Sequence, residues 1–146
     1  MAVTGAKEGE AAQVVRRWLE EGWGERNFDL IDELFSPKFT ASGGPTGKVD
    51  RLAYKKYCES VVIAIPDLFT EIVELYDGGN IVIVKIRTGG THTGHLPGNP
   101  ASGGPVETEM VDVWRVDDGL ITQRETAEYD TQALREKLGF VPRFQG

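Results

Sequence analysis

The chain has 146 residues, 40% of them hydrophobic and 27% charged, which is one soluble globular domain's worth of sequence. Its net charge of −7 comes with no basic run, which argues against a nucleic-acid partner, and no apolar run approaches the roughly 20 residues of a membrane helix. The first residues, Met1-Ala2-Val3-Thr4-Gly5, lack the basic and apolar regions of a signal peptide, so a cytoplasmic protein with no membrane partner is expected.

In chain order, Ala11, Val14, Val15, Trp18 and Leu19 repeat at helical spacing, and Gly22 and Gly24 are expected to end that helix. Asn27 is placed as the N-cap of a second helix with the stripe Leu30, Ile31, Leu34 and Phe35, closed by Pro37. Phe39 to Ser42 reads as a short strand and Gly43 to Gly47 as a loop. Asp50 caps a third helix carrying Leu52, Tyr54, Tyr57, Cys58, Val61, Val62 and Ile65, ended by Pro66. Strands follow: Leu68 to Tyr76, the hairpin loop Asp77-Gly78-Gly79-Asn80, then Ile81 to Thr93. A Gly/Pro-rich loop spans Gly94 to Pro105. Val106 to Val116 is a strongly alternating strand, and Asp118-Gly119 turns it back into Leu120 to Tyr129. Thr131 to Leu138 reads as a closing helix ended by Gly139. Helices first and an antiparallel sheet second make an α+β fold, with N-terminal helices on one face of a curved sheet. No repeat or linker divides residues 1–146, so a single domain is expected.

Several chemistries are excluded early. The lone Cys58 leaves no intrachain disulfide and reads as a small core residue. Two histidines, His92 and His95, are too few for a Cys/His zinc cluster. Gly43-Gly44-Pro45-Thr46-Gly47-Lys48 lacks the frame and the hydroxyl residue of a phosphate loop, and no G-x-S-x-G elbow is present.

The chemistry concentrates on the strand Val106 to Val116. One face carries Thr108, Met110, Asp112 and Trp114; the other carries Glu107, Glu109, Val111, Val113 and Arg115. A carboxylate among apolar neighbours must be paired, hydrogen-bonded or protonated, which suits acid/base work at Asp112. A two-residue Asp118-Gly119 turn sets Asp112 opposite Glu125; a three-residue loop with a bulge sets it opposite Thr126, with Arg124 opposite Trp114. The sequence leaves both registers open. If the preceding strand pairs regularly, His92 falls on its more apolar face, and His95 lies in the loop. Trp18, Phe35, Tyr54, Tyr57, Phe69 and Trp114 are candidates to line a cavity, the tyrosine hydroxyls being able to orient a ligand.

Thr91-His92-Thr93-Gly94, the Pro/Gly loop, Val111-Asp112-Val113-Trp114-Arg115-Val116, Asp118-Gly119-Leu120-Ile121 and Leu134-Arg135-Glu136-Lys137-Leu138-Gly139 together resemble the SnoaL-like polyketide cyclases. These belong to the superfamily of ketosteroid isomerase and nuclear transport factor 2. The resemblance implies a cone-shaped α+β barrel, a mostly antiparallel sheet enclosing an apolar pocket, homodimers packed through the sheet, and catalysis with neither metal nor organic cofactor. In the aldol cyclases the first strand position bears a His, where this chain has Asp112. Their catalytic Asp falls on Thr126 or on Ala127, neither of which is a carboxylate. Asp112, Glu125, Glu128 and His92 remain as acid/base candidates.

The expected function is a cofactor-independent cyclase or isomerase acting on a hydrophobic, polyketide-like small molecule. Asp112, His92 and Glu125 would be catalytic. Trp18, Phe35, Tyr54, Tyr57, Phe69, Met110, Trp114 and Arg124 would bind substrate. Two alternatives stand beside it. One is an epoxide-opening cyclase or hydrolase, with the Asp112/Glu125 pair as its acid and base and Arg124 nearest to that class's Asp-Arg-Asp arrangement. The other is a binding module without chemistry.

Overall fold

The computed structural model describes residues 8–44, 47–94 and 101–128. The expected closing helix over Thr131 to Leu138 lies outside them, as do His95 and the side chains of Thr126, Ala127 and Glu128. Helix α1 (Glu10–Arg17) buries Ala11, Ala12 and Val15, and Glu10 and Arg16-Arg17 complement its dipole at opposite ends. The helix does not stop at Gly22. It widens into a π-helical turn over Trp18–Trp23. The Gly24 N–H reaches back to the Leu19 carbonyl, five residues away. This brings Trp18 and Trp23, also five apart, into ring contact with centroids 6.2 Å apart. Gly22 belongs to this packing, because a Cβ there would overlap the Trp18 ring.

The second helix is shorter than its apolar stripe suggests. Helix α2 covers only Leu30–Leu34, with Asp29 rather than Asn27 at its N-cap. Phe35 is already extended and opens strand β1 (Phe35–Gly44). Pro37 therefore lies inside a strand instead of closing a helix. The residue before a proline disfavours the helical region, so Ser36 is pushed to extended geometry. The pairing of β1 is irregular between Phe35 and Thr40, which accommodates a residue with no N–H to donate. A short β2 (Gly47–Asp50) follows, where the sequence predicts only the end of a loop at Gly47 and a helix cap at Asp50. Asp50 does cap α3 (Arg51–Ala64), accepting the Ala53 N–H at 2.9 Å.

Four strands complete the sheet: β3 (Phe69–Asp77), β4 (Ile81–Thr91), β5 (Pro105–Asp117) and β6 (Leu120–Glu128). The order is β2-β1-β6-β5-β4-β3. All neighbours are antiparallel except β1 and β6, which run parallel. The sheet is thus mostly antiparallel but mixed, with β2 and β3 as open edges. The fold is α+β. The helices cover the inner face, where Trp18, Phe35, Phe39, Tyr54, Val82, Val84, Trp114 and Ile121 form one core. Arg87 reaches Glu71 and Glu107 across the outer face. Among the described residues no helix is long and apolar enough to cross a membrane.

Candidate active site

The β5–β6 hairpin decides which polar groups meet. Asp118 (φ 52°) and Gly119 (φ 79°) are both left-handed, as a two-residue hairpin turn of matching twist requires. Asp117 accordingly pairs with Leu120, and Val116 with Ile121. Beyond them Arg115 pairs with Gln123, so Thr122 is an extra residue. Its hydroxyl donates to Asp117 Oδ2 at 2.7 Å, holding the bulge closed. The tight turn and the bulged register thus coexist. Asp112 faces Thr126, Trp114 faces Arg124, and Val113 faces Glu125.

This register corrects the proposed Asp112/Glu125 pair. Glu125 is exposed on the outer face, where it accepts a hydrogen bond from Gln123. The group brought to Asp112 is Arg124. Its Nη2 lies 3.6 Å from Asp112 Oδ1; the Asp112 side chain is buried and that of Arg124 is 13% exposed. Two charges drawn out of water are tolerable when they face each other. Burial works against the charge on Arg124. That penalty is the largest single effect, but Asp112 together with the smaller contributions of Tyr54, Tyr57 and Cys58 outweighs it, so the guanidinium is held above its ordinary pKa.

Helix α3 supplies the opposite wall. Tyr54 and Cys58 are one helical turn apart on the same buried face. The Arg124 guanidinium carbon sits 5.8 Å from the centre of the Tyr54 ring. Burial, and next the neighbouring Cys58, raise the Tyr54 phenol well above its ordinary pKa, so it stays protonated. Burial likewise pushes the Cys58 thiol up, which makes it inert as a nucleophile. A line of polar groups, Cys58, Tyr54, Arg124 and Asp112, therefore crosses an apolar core.

Aromatic rings close around that line. Phe35 is in contact with Trp18 (5.0 Å between centroids), Tyr54 (5.8 Å) and Trp114 (6.2 Å). Phe39, absent from the sequence-derived site, is 4.6 Å from Phe35 and 5.3 Å from Tyr54. Its spacing from Phe35 and Ala41 along one strand face would have flagged it, had β1 been read as starting at Phe35. Met110 packs against the same core. Tyr57 stacks on Tyr54 at 6.4 Å and is half-exposed, at the rim. Phe69 does not belong here. It pairs with Gly89 on the outer face and lies under the Arg87 guanidinium. The sequence assigns Phe69 no face, and β3 is itself irregular between Ile72 and Glu74.

His92 is buried on the inner-face side, as regular pairing of β4 through Gly89-Gly90 requires. It does not join Asp112. Asp112 pairs with Val84, and His92 lies eight residues further on, a distance of about 26 Å along a strand. Its Nδ1 accepts the Ser102 N–H at 3.4 Å and lies 3.2 Å from the Ser102 hydroxyl, pinning the end of the β4–β5 loop.

Four buried nitrogens have no hydrogen-bond partner among the described residues: Trp18 Nε1, Trp114 Nε1, Arg124 Nε and His92 Nε2. A buried donor left unpaired costs about 1–3 kcal/mol, so three of them around one polar line are a distinctive property of this site. Among the described residues no group of His, Cys, Asp and Glu could hold a metal ion.

The sequence and the fold match known proteins. A sequence model for the SnoaL-like polyketide cyclases matches residues 13–138. The chain belongs to that family. A candidate SnoaL-like polyketide cyclase from Jannaschia sp. CCS1 superposes on this SnoaL-like chain with a TM-score of 0.81. It is 21% identical, and the match covers 97% of this chain and 100% of that one. IdmH from Streptomyces antibioticus, a candidate polyketide cyclase, has a TM-score of 0.73 at 21% identity, covering 90% of this chain and 99% of its own. AclR from Streptomyces galilaeus, a candidate hydroxylase, also has a TM-score of 0.73 at 21% identity, covering 91% and 83%. At such identities the likeness is one of fold. Comparison with curated proteins gives no match.

Proposed function

We propose that this SnoaL-like protein is a cofactor-independent acid/base cyclase or isomerase acting on a hydrophobic, polyketide-like carbonyl compound. The observation that carries the reading is the Asp112–Arg124 pair, buried on the inner face at 3.6 Å. Asp112, as the carboxylate partner of Arg124, acts as the base. It takes a proton from a carbon next to a substrate carbonyl: the C–H bond breaks, an O–H bond forms on Asp112, and an enolate remains. The negative charge has then moved from the carboxylate to the enolate oxygen. Arg124 can pair with either, so the net charge of the buried site is unchanged through the step. In a ring closure the enolate carbon attacks a second carbonyl, and the new alkoxide takes back the proton from Asp112. In an isomerisation the proton returns to a different carbon.

Tyr54, kept protonated, supplies a neutral donor beside the same oxygen. Trp18, Phe35, Met110 and Trp114 shape the apolar volume that folds the substrate and excludes water. His92 is assigned here to holding the loop rather than to proton transfer. The epoxide-opening alternative loses support, because it drew its second carboxyl from Glu125. The same reading has two copies of the chain pack through the outer face of the sheet, where Ile83 and Val73 are exposed.

The test compares small metabolites, by mass spectrometry, from cells carrying the intact chain and cells carrying Asp112→Asn. A precursor isobaric with the lost product, or heavier than it by one water after a dehydrating closure, supports the reading. An unchanged profile with folded variant protein would sink it in favour of a binding module.

A further inference from the structure

Trp18 Nε1, Trp114 Nε1 and Arg124 Nε carry hydrogens that find no acceptor among the described residues. Trp18 and Trp114 each make an edge-to-face contact with Phe35, at 5.0 and 6.2 Å between centroids. Arg124 lies directly across the ladder from Trp114 and over the Tyr54 ring, against which Trp18 also packs at 6.3 Å. Arg124 Nε–H shares one edge of the guanidinium with Nη2, the nitrogen facing Asp112. A group accepting from that edge therefore stands next to the Asp112 carboxylate. The Tyr54 phenol, protonated throughout, adds another donor.

The donors and acceptors on this wall are unevenly matched. Indole N–H groups only donate, and so does a guanidinium. A hydrocarbon packed against them would leave them all unpaired. A ligand with hydroxyl donors would meet a surface short of acceptors. A ligand with two or more carbonyl or enolate oxygens would satisfy them.

We propose that Trp18, Trp114 and Arg124 are the hydrogen-bond donors that receive the ligand's oxygens, so the site selects a β-dicarbonyl over its deoxygenated analogue. The two tryptophans are then specificity-determining residues rather than inert aromatic walls. The inference rests on the acid/base reading for the ligand's being a carbonyl compound, but its test does not depend on turnover.

The probe is acetyltetralone, a bicyclic β-diketone, compared with tetralin, its hydrocarbon frame. The readout is the indole N–H signals of the three tryptophans in isotope-labelled protein by NMR. Trp23, half-buried and outside the donor set, is the internal control. Saturable downfield shifts of the Trp18 and Trp114 signals with the diketone, and none with tetralin, are expected. Trp18→Phe and Trp114→Phe should each weaken diketone binding about tenfold and leave tetralin binding unchanged. No saturable diketone binding, or equal responses to both probes, overturns the proposal, and this wild-type comparison stands even if a variant fails to fold. Asp112→Asn separates the two readings. Indole shifts retained while turnover is lost supports both. Indole shifts retained with turnover intact keeps the donor set and removes the acid/base assignment.

Discussion

Arg124 shares the inner face of the β5–β6 hairpin with Asp112, diagonally across the ladder, because Thr122 is one residue more than a regular ladder would hold. Without that bulge, the tight Asp118-Gly119 turn would set Glu125 against Asp112 and send Arg124 to the outer face. One extra residue thereby determines whether the buried carboxylate meets a like charge or an opposite one.

Asp112→Asn should abolish turnover and destabilise the protein by about 3 kcal/mol, because Arg124 is left buried without its counter-charge. The double variant Asp112→Asn/Arg124→Gln should recover much of that stability and none of the activity. Urea denaturation of both, beside the metabolite assay, checks this. A single variant as stable as wild type would mean that the pair contributes nothing to the fold.

Glu125→Gln should leave turnover within about twofold of wild type, as is usual for an exposed substitution far from the chemistry. Glu125 lies opposite Val113 on the outer face and is exposed. A loss of activity of tenfold or more would contradict the register.

Tyr54→Phe should lower turnover about tenfold by removing a donor while keeping the ring stack. It should also change the alkaline limit of stability. Burial raises the Tyr54 phenol and the Cys58 thiol above their values in the unfolded chain. Both groups therefore contribute stability that is fully present below their unfolded values, near pH 9 for the thiol and pH 10 for the phenol. That stability is lost as pH rises further, when the unfolded chain ionises and the folded one resists. The melting temperature of Tyr54→Phe should fall less steeply above pH 10 than that of wild type. Parallel curves would show that the phenol is not desolvated.

Gly22→Ala should destabilise by about 1–3 kcal/mol, the usual range for overpacking, since its Cβ would overlap the Trp18 ring. Displacing Trp18 should also perturb its near-ultraviolet circular dichroism. An unchanged melting temperature would show that the π-helical turn relaxes at little cost.

The sequence by itself determined the α+β class, the capped third helix at Asp50, the hairpin at Asp118-Gly119 and the buried face carrying Asp112 and Trp114. Those features are local. Alternation, helical spacing and turn chemistry are written in neighbouring residues, and burial follows from them once a sheet forms. The sequence also left both strand registers open, because a bulge is a property of two paired strands and not of either alone. Only the tertiary structure chose Arg124 over Glu125, set Tyr54 and Cys58 against that pair from a helix far away in sequence, and parted His92 from Asp112 by most of a strand's length. It also turned Phe69 outward and ran β1 through Pro37. Each of these outcomes depends on which elements pack together, and short-range propensity carries no information about that.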